Sequence, residues 1–318
     1  MLGQWMESEI REQPAVLSGN SAVYEAKLVK ALRGRQFDLI VLVARGSSDN
    51  AALYARYLFE VHLGIPTVLC APSVLTRYGT RVRYPNALVV GISQSGAAAD
   101  VAEVLRSSRE AGHTALALTN HKESPVGSTA EFVLALNSGV EKSVAATKTY
   151  TCTLLALYQL ARSLGAPLPP PEEGLPTDGW IEAAREAAER ASGRVVRSNV
   201  CFSLGRGYGF STALECALKL MECALVPCKA YSTADFQHGP RALAGPLSCA
   251  ILFGESVEGL EQQGCDVVQA PAMPQTVPDE LRPLSDIVFG QWLALLAARC
   301  RAYDPDRPEF INKVTSTY

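Results

Sequence analysis

Two stretches of this chain share one pattern. An apolar run of strand length breaks into small hydroxyl, amide and glycine residues, and a helical pattern follows at once. Leu39-Ile40-Val41-Leu42-Val43-Ala44 leads into Arg45-Gly46-Ser47-Ser48-Asp49-Asn50 and a helix over about residues 51–61. Ala87-Leu88-Val89-Val90-Gly91-Ile92 leads into Ser93-Gln94-Ser95-Gly96, then into helical spacing over 97–107 with Val101, Val104 and Leu105 on one side. A strand that is apolar on both faces is buried on both, as in a parallel sheet covered by helices. Ligands of such sheets bind beyond the carboxyl ends of the strands, where both turns lie. The unpaired N–H groups of a first helical turn point at an anion there, and serine hydroxyls add donors without bulk. A lone serine at such a place is most simply a helix cap. Two hydroxyls, an amide and a glycine in four positions, echoed at 46–48, point instead to an anion site. Neither stretch carries G-x-x-x-x-G-K-[ST] or G-x-G-x-x-G, so the expected anion is a phosphorylated metabolite rather than a nucleotide.

Elsewhere the same alternation continues. Strands are expected near 39–44, 66–70, 87–92, 114–118 and 132–136, with a long helix over 146–163. After a break come strands near 199–204, 228–231, 249–253 and 266–270, and helices near 179–193, 212–224 and 284–302. Pro169-Pro170-Pro171 cannot enter a helix or a central strand, so the expected division is residues 1–165, an extended linker 166–178, and residues 179–318. The fold class is therefore α/β, with two similar units, each a parallel sheet flanked by helices. Val43-Ala44-Arg45-Gly46 and Ser203-Leu204-Gly205-Arg206-Gly207 echo one another at the end of a strand. With 318 residues there is length for two cores, and a net charge of −3 argues against nucleic acid as partner. No apolar run is long enough to span a bilayer, and no secretory leader is legible. Nine cysteines without a C-x-x-C pair suggest reduced thiols and a cytoplasmic setting. The four histidines are too dispersed for a metal site.

Three further places carry titratable residues in suggestive company. Over 212–224, Leu214, Ala217, Leu218 and Met221 form an apolar stripe, which leaves Glu215, Lys219 and Glu222 together on the remaining face. The plain reading of that triad is a solvated i,i+4 pair of small energetic weight. His238 precedes Gly239-Pro240 in a turn, where an ordinary surface histidine is also expected. Lys313 lies near the end of the chain between Ile311 and Val314, which suggests a tail that docks.

Taken in order, these motifs resemble the sugar isomerase (SIS) family. The nearest likeness is to the isomerase half of glucosamine-6-phosphate synthases and to free-standing isomerising glucosamine-6-phosphate deaminases. Glu12-Gln13-Pro14, Gly46-Ser47-Ser48, Ser93-Gln94-Ser95-Gly96 and Val144-Ala145-Ala146-Thr147-Lys148 match one SIS unit. Leu214 to Glu222, His238-Gly239-Pro240 and Lys313-Val314-Thr315 match the second unit and the tail. The resemblance implies a flavodoxin-like three-layer sandwich in each unit. It implies that Ser47, Ser93, Gln94 and Ser95, with the Gly46 turn, hold a sugar phosphate, and that Ser48 and Val144 contact the sugar. Glu222 is implied as the base that moves a proton between C1 and C2, and His238 as the residue that opens the ring from a neighbouring subunit. Lys219, Lys313 and Glu215 are implied to line the sugar site. A homodimer with a shared site and no cofactor or metal follows from the same likeness. The implied reaction is glucosamine 6-phosphate plus water to fructose 6-phosphate plus ammonia.

The sequence departs from that pattern in places. Ala98 stands where relatives usually carry a threonine that donates to phosphate, and Arg45 replaces a small residue, offering a charge-assisted contact instead. Asp235 stands where glutamate is more usual. Leu2 follows Met1 where full synthases carry a nucleophilic cysteine, and about forty residues precede the first sheet, so a glutamine-hydrolysing domain is not expected. The alternatives left open are another phosphosugar isomerase, a fructosamine-6-phosphate deglycase, and a non-catalytic sugar-phosphate sensor.

Overall fold

The computed structural model describes residues 1–313. Val314 and Thr315, matched above together with Lys313, lie outside the described residues. The elements run α1 (Gln4–Arg11), α2 (Gln13–Leu32), β1 (Leu39–Val43), α3 (Ser47–Leu63), β2 (Thr67–Leu69), α4 (Ser73–Thr76), β3 (Ala87–Ile92), α5 (Ala99–Glu110), β4 (Thr114–Thr119), α6 (Pro125–Thr129), β5 (Phe132–Ala135) and α7 (Lys148–Ser163). They continue as α8 (Asp178–Arg197), β6 (Val200–Gly205), α9 (Tyr208–Ala224), β7 (Cys228–Ser232), α10 (Thr233–Phe236), β8 (Ser248–Phe253), β9 (Asp266–Gln269) and α11 (Pro283–Cys300). The chain divides into two compact units, neither continuous in sequence. The first takes residues 15–140 and 149–172; the second takes 1–14, 141–148 and 173–313.

The first unit holds a parallel sheet in the order β2-β1-β3-β4-β5. Every residue of β1 and β3 is buried, as continuous apolar strands covered on both faces must be. The face under α5 packs Val41, Val89 and Ala117 against Val101, Val104 and Leu105, the stripe that the helical spacing predicts. The chain leaves β1 for β2 on one side and for β3 on the other. The switch point of this flavodoxin-type order therefore lies between β1 and β3, and both serine-bearing turns open there.

The second unit repeats the plan with four parallel strands in the order β7-β6-β8-β9. Phe202, Leu204, Phe236, Ala250 and Leu252 form one of its cores. α11 is apolar nearly all round and buried along most of its length, with Trp292 fully enclosed. The two units also share a local geometry. Gly46 before α3 has φ 56° and ψ −130°, and Gly207 before α9 has φ 56° and ψ −128°.

Both helices begin four residues earlier than their apolar spacing indicates, because the positive-φ glycine turns the chain straight into the helix and the residues just after it, polar in α3 and Tyr208-Gly209-Phe210-Ser211 in α9, form its first turn. Pro171–Gly174 closes into a 3₁₀ turn instead of remaining extended. The N-terminal segment holds two helices. They break at Glu12, and Pro14 occupies the first turn of α2, where its missing N–H costs nothing.

Candidate active site

In the first unit the two turns at the switch point are built by backbone. Ser48, Asp49 and Asn50 donate their amides to Arg45 O and Gly46 O at 3.0–3.1 Å, closing the first turn of α3. After β3, the Ser93 amide donates to Leu118 O at 3.0 Å, and the Gly96 amide to Ser93 O at 3.1 Å. Gly96 has φ 66°, and a Cβ there would stand 1.9 Å from Ser124 Oγ. Ser95 Oγ accepts the Ala97 amide at 3.3 Å. The side chains of Ser48, Ser93 and Gln94 make no hydrogen bond to another described residue, so their donors remain available to a ligand. Ala98 is the N-cap of α5 and offers no side-chain cap, while the amide of Val101 in the first turn is taken by the Asp100 carboxylate at 2.9 Å.

The corresponding turn of the second unit reads Gly254-Glu255-Ser256 after β8, and Glu255 lies 4.0 Å from Arg206. That turn has one hydroxyl and no side-chain amide, against the two hydroxyls and an amide of Ser93-Gln94-Ser95. Of the two quasi-equivalent switch points, the first unit's is the one with the composition of a phosphate site.

α9 supplies the principal correction to the sequence reading. Glu215 is fully buried and Lys219 is 1% exposed, while Met221 is 42% exposed and Leu214 and Leu218 are half-buried. The inward arc of α9 is made of small residues, namely Ala213, Cys216, Ala217, Cys223 and Ala224, with Leu220. Small side chains let α9 lie close to its neighbours and leave the charged triad enclosed beside them, so neither the apolar stripe nor the solvated pair holds. Lys219 Nζ lies 3.3 Å from Glu215 Oε1 and 2.5 Å from Glu222 Oε2. Burial opposes the charge on Lys219, but Glu215 and then Glu222 outweigh it and raise the lysine above its ordinary value. The Glu222 side chain is 25% exposed, the one member of the triad that reaches solvent. It borders a cavity of about 200 Å3 walled by Met221, Leu225, Tyr303, Phe310 and Ile311, with Arg307 beside them.

The sequence reading missed a second cluster, in the same unit. Lys313 Nζ donates to Glu141 Oε2 at 3.3 Å and to Ser143 O, so Lys313 is itself docked. Glu141 in turn accepts the Thr147 amide at 3.0 Å and its hydroxyl at 3.2 Å. Glu9 on α1 accepts the amides of Lys142 and Ser143. Burial pushes the Glu9 carboxyl up to about 7, helped by Glu141 and opposed by those amides and by Lys313. Half-buried Val144 thus sits in a segment clamped from both sides. Lys148, nearly fully buried, closes the same segment on Glu12 at 2.6 Å. No spacing in the sequence links Glu9 to Glu141; only the fold does.

His238 lies in the exposed turn after α10, its amide bonded to Asp235 O at 3.0 Å. Asp235 does not orient the ring: its carboxylate accepts from Ser232 Oγ at 2.7 Å. Among the described residues the imidazole has no hydrogen-bond partner. Among them, too, no helix is long and apolar enough to cross a membrane, and no group of three His, Cys, Asp or Glu side chains could hold a metal.

A parallel sheet with a hydroxyl-rich switch point, in a chain that carries a second unit of the same plan, defines a two-unit, doubly wound α/β architecture. Residues 35–163 match the model of the SIS domain. It is 31% identical over 341 residues to the isomerising glutamine–fructose-6-phosphate aminotransferase of Methanothermobacter thermautotrophicus, covering 97% of this chain and 57% of that protein. The Pseudomonas syringae enzyme of the same name is 35% identical over 97% of this chain and 58% of its own length. The chain therefore spans little more than half the length of these relatives. In fold it is similar to glucosamine-6-phosphate deaminase from Thermotoga maritima, with a TM-score of 0.77 and 22% identity over 95% of this chain and all of that one. The C-terminal domain of glucosamine-fructose-6-phosphate aminotransferase from Francisella tularensis gives a TM-score of 0.78 at 24% identity, over 96% of this chain and 98% of that one.

Proposed function

We propose that this chain is a phosphosugar isomerase that converts glucosamine 6-phosphate and water to fructose 6-phosphate and ammonia. The observation that carries the reading is the Glu215–Lys219–Glu222 triad of α9. A fold buries two carboxylates and a lysine only with mutual compensation, and Glu222 is the member left accessible. Ser47, Ser93, Gln94 and Ser95, with the Gly46 turn, take the phosphate; Ser48 and Val144 contact the sugar. Binding energy from the phosphate positions the reacting end.

His238, contributed by a second copy of the chain, assists ring opening to the aldehyde. Glu222 removes the C2 proton, and the electron pair moves through C1 to the carbonyl oxygen, giving an enolamine. Return of the proton to C1 yields the C2 imine. Water adds to that carbon and ammonia leaves, giving the ketone. Lys219, held charged by two carboxylates, is an electrostatic partner for the developing oxyanion and not a nucleophilic amine. Lys313 is the second cation available for that oxygen.

A second reading has its own support. The cavity bordering Glu222 gives room for a group larger than hydrogen on the nitrogen, which favours a fructosamine 6-phosphate as substrate. Ammonia release from glucosamine 6-phosphate, coupled to detection of fructose 6-phosphate, tests the first reading. Both products establish it. Thermal stabilisation by the sugar phosphate without turnover rejects it, and moves the assay to fructosamine phosphates.

A further inference from the structure

Arg45, the last residue before Gly46, stands on the β1 side of the first unit's switch point. Its Nε donates to Oδ2 of Asp100 at 2.7 Å. Asp100 lies in the first turn of α5 with a side chain 3% exposed, and its Oδ1 accepts only the adjacent Val101 amide, at 2.9 Å. The ion pair therefore carries the Arg45 guanidinium across from the β1 turn to the N-terminal end of α5, directly after the Ser93-Gln94-Ser95-Gly96 turn. A guanidinium has five N–H groups in a planar fork. One is spent on Asp100, and among the described residues the Nη groups have no hydrogen-bond partner. Asp49, in the first turn of α3, is the other carboxylate that feels this cation.

We propose that Arg45, held in place by Asp100, is a phosphate-binding residue that sets the preference of this site for a dianionic phosphate ester. The inference rests on the phosphate-site reading given under Proposed function. Its logic is electrostatic. A buried carboxylate at the mouth of a phosphate site repels the ligand, and the Nε bond cancels that charge. The Nη pair then adds a bidentate, charge-assisted contact of the kind that guanidinium and phosphate form well. Lysine cannot do both, because a single ammonium cannot span Asp100 and the ligand in one plane. Ala98 provides no hydroxyl at the same helix end, so these donors have no side-chain competitor there.

The competing explanation is that Arg45 merely neutralises Asp100 and ties two turns together. Titration calorimetry on the full chain, with inorganic phosphate and with glucosamine 6-phosphate, separates the two. The proteins compared are wild type, R45Q, R45K, D100N and R45Q/D100N, each checked for folding by thermal unfolding. R45Q is expected to weaken both ligands by about tenfold or more, the worth of one charge-assisted contact. R45Q/D100N is expected to recover only part of the loss, because it removes the repulsion without restoring donors. R45K is expected to bind more weakly than wild type, and it decides the matter if R45Q does not fold. Wild-type affinity in R45Q or R45K overturns the proposal, as does full recovery in R45Q/D100N. If wild type itself binds neither ligand, it is the phosphate-site reading that fails.

Discussion

A lysine that is 1% exposed stays charged only where carboxylates replace its lost hydration, and Lys219 has two within 3.3 Å. The arrangement separates two roles that substitution can tell apart. Glu222→Gln keeps the shape of the side chain but removes the base. It is expected to bind sugar phosphate as wild type does and to lose about 100-fold or more in turnover, read by calorimetry and by ammonia release. Normal turnover in that variant removes Glu222 from the mechanism. Lys219→Ala instead strands Glu215, which is wholly enclosed. Breaking a buried pair from one side costs about 3–5 kcal/mol, so the melting temperature of Lys219→Ala should fall well below that of wild type. Adding Glu215→Gln to it should recover much of the loss, since no ionised carboxyl then remains stranded there. Equal melting temperatures for Lys219→Ala and the double variant would show that the pair carries no such coupling.

Most of the elements were legible because parallel strands are apolar on both faces: Leu39–Val43 and Ala87–Ile92 read as strands with almost no offset. Helix starts were less so. Nothing in the spacing of apolar residues reports that Gly46 and Gly207 turn the chain directly into a helix. The buried face of α9 was misread for a related reason. Leu and Met outrank Ala and Cys in hydrophobicity, yet close packing selects the small residues. The clamp on segment 141–148 was invisible, since Glu9 meets it across more than 130 positions of sequence. That clamp has a pH signature. Glu9 goes from an ordinary value of 4.5 to about 7 in the fold. The folded state then binds the extra proton between those values, so the stability contributed by Glu9 is complete below pH 4.5 and is lost as pH rises through 7. Asp286 on α11, buried and also pushed up to about 7, acts in the same direction. Denaturant unfolding of wild type and Glu9→Gln between pH 5 and 8 should show the wild type falling faster, by on the order of 3 kcal/mol at most. Parallel curves would mean that Glu9 does not titrate there.

At the scale of the whole molecule the open question is how many chains make one site. An acid–base residue has to come within hydrogen-bond reach of the atom it serves. His238 is exposed, and its ring has no hydrogen-bond partner among the described residues. On the proposed reading His238 serves the site of a neighbouring chain, and a twofold dimer would repeat the exchange at both sites. Glu222→Gln and His238→Ala should each be inactive alone. Mixed in equal amounts and allowed to exchange, half the dimers are hybrid. Each hybrid holds one site with both native residues and one with neither, so about a quarter of wild-type activity should return. Activity that stays absent, in a mixture shown by mass to contain hybrid dimers, would mean that each site draws both residues from a single chain. Recovery near a quarter would instead make dimer formation a condition of catalysis, so that dilution below the dimer dissociation constant abolishes turnover without unfolding either unit.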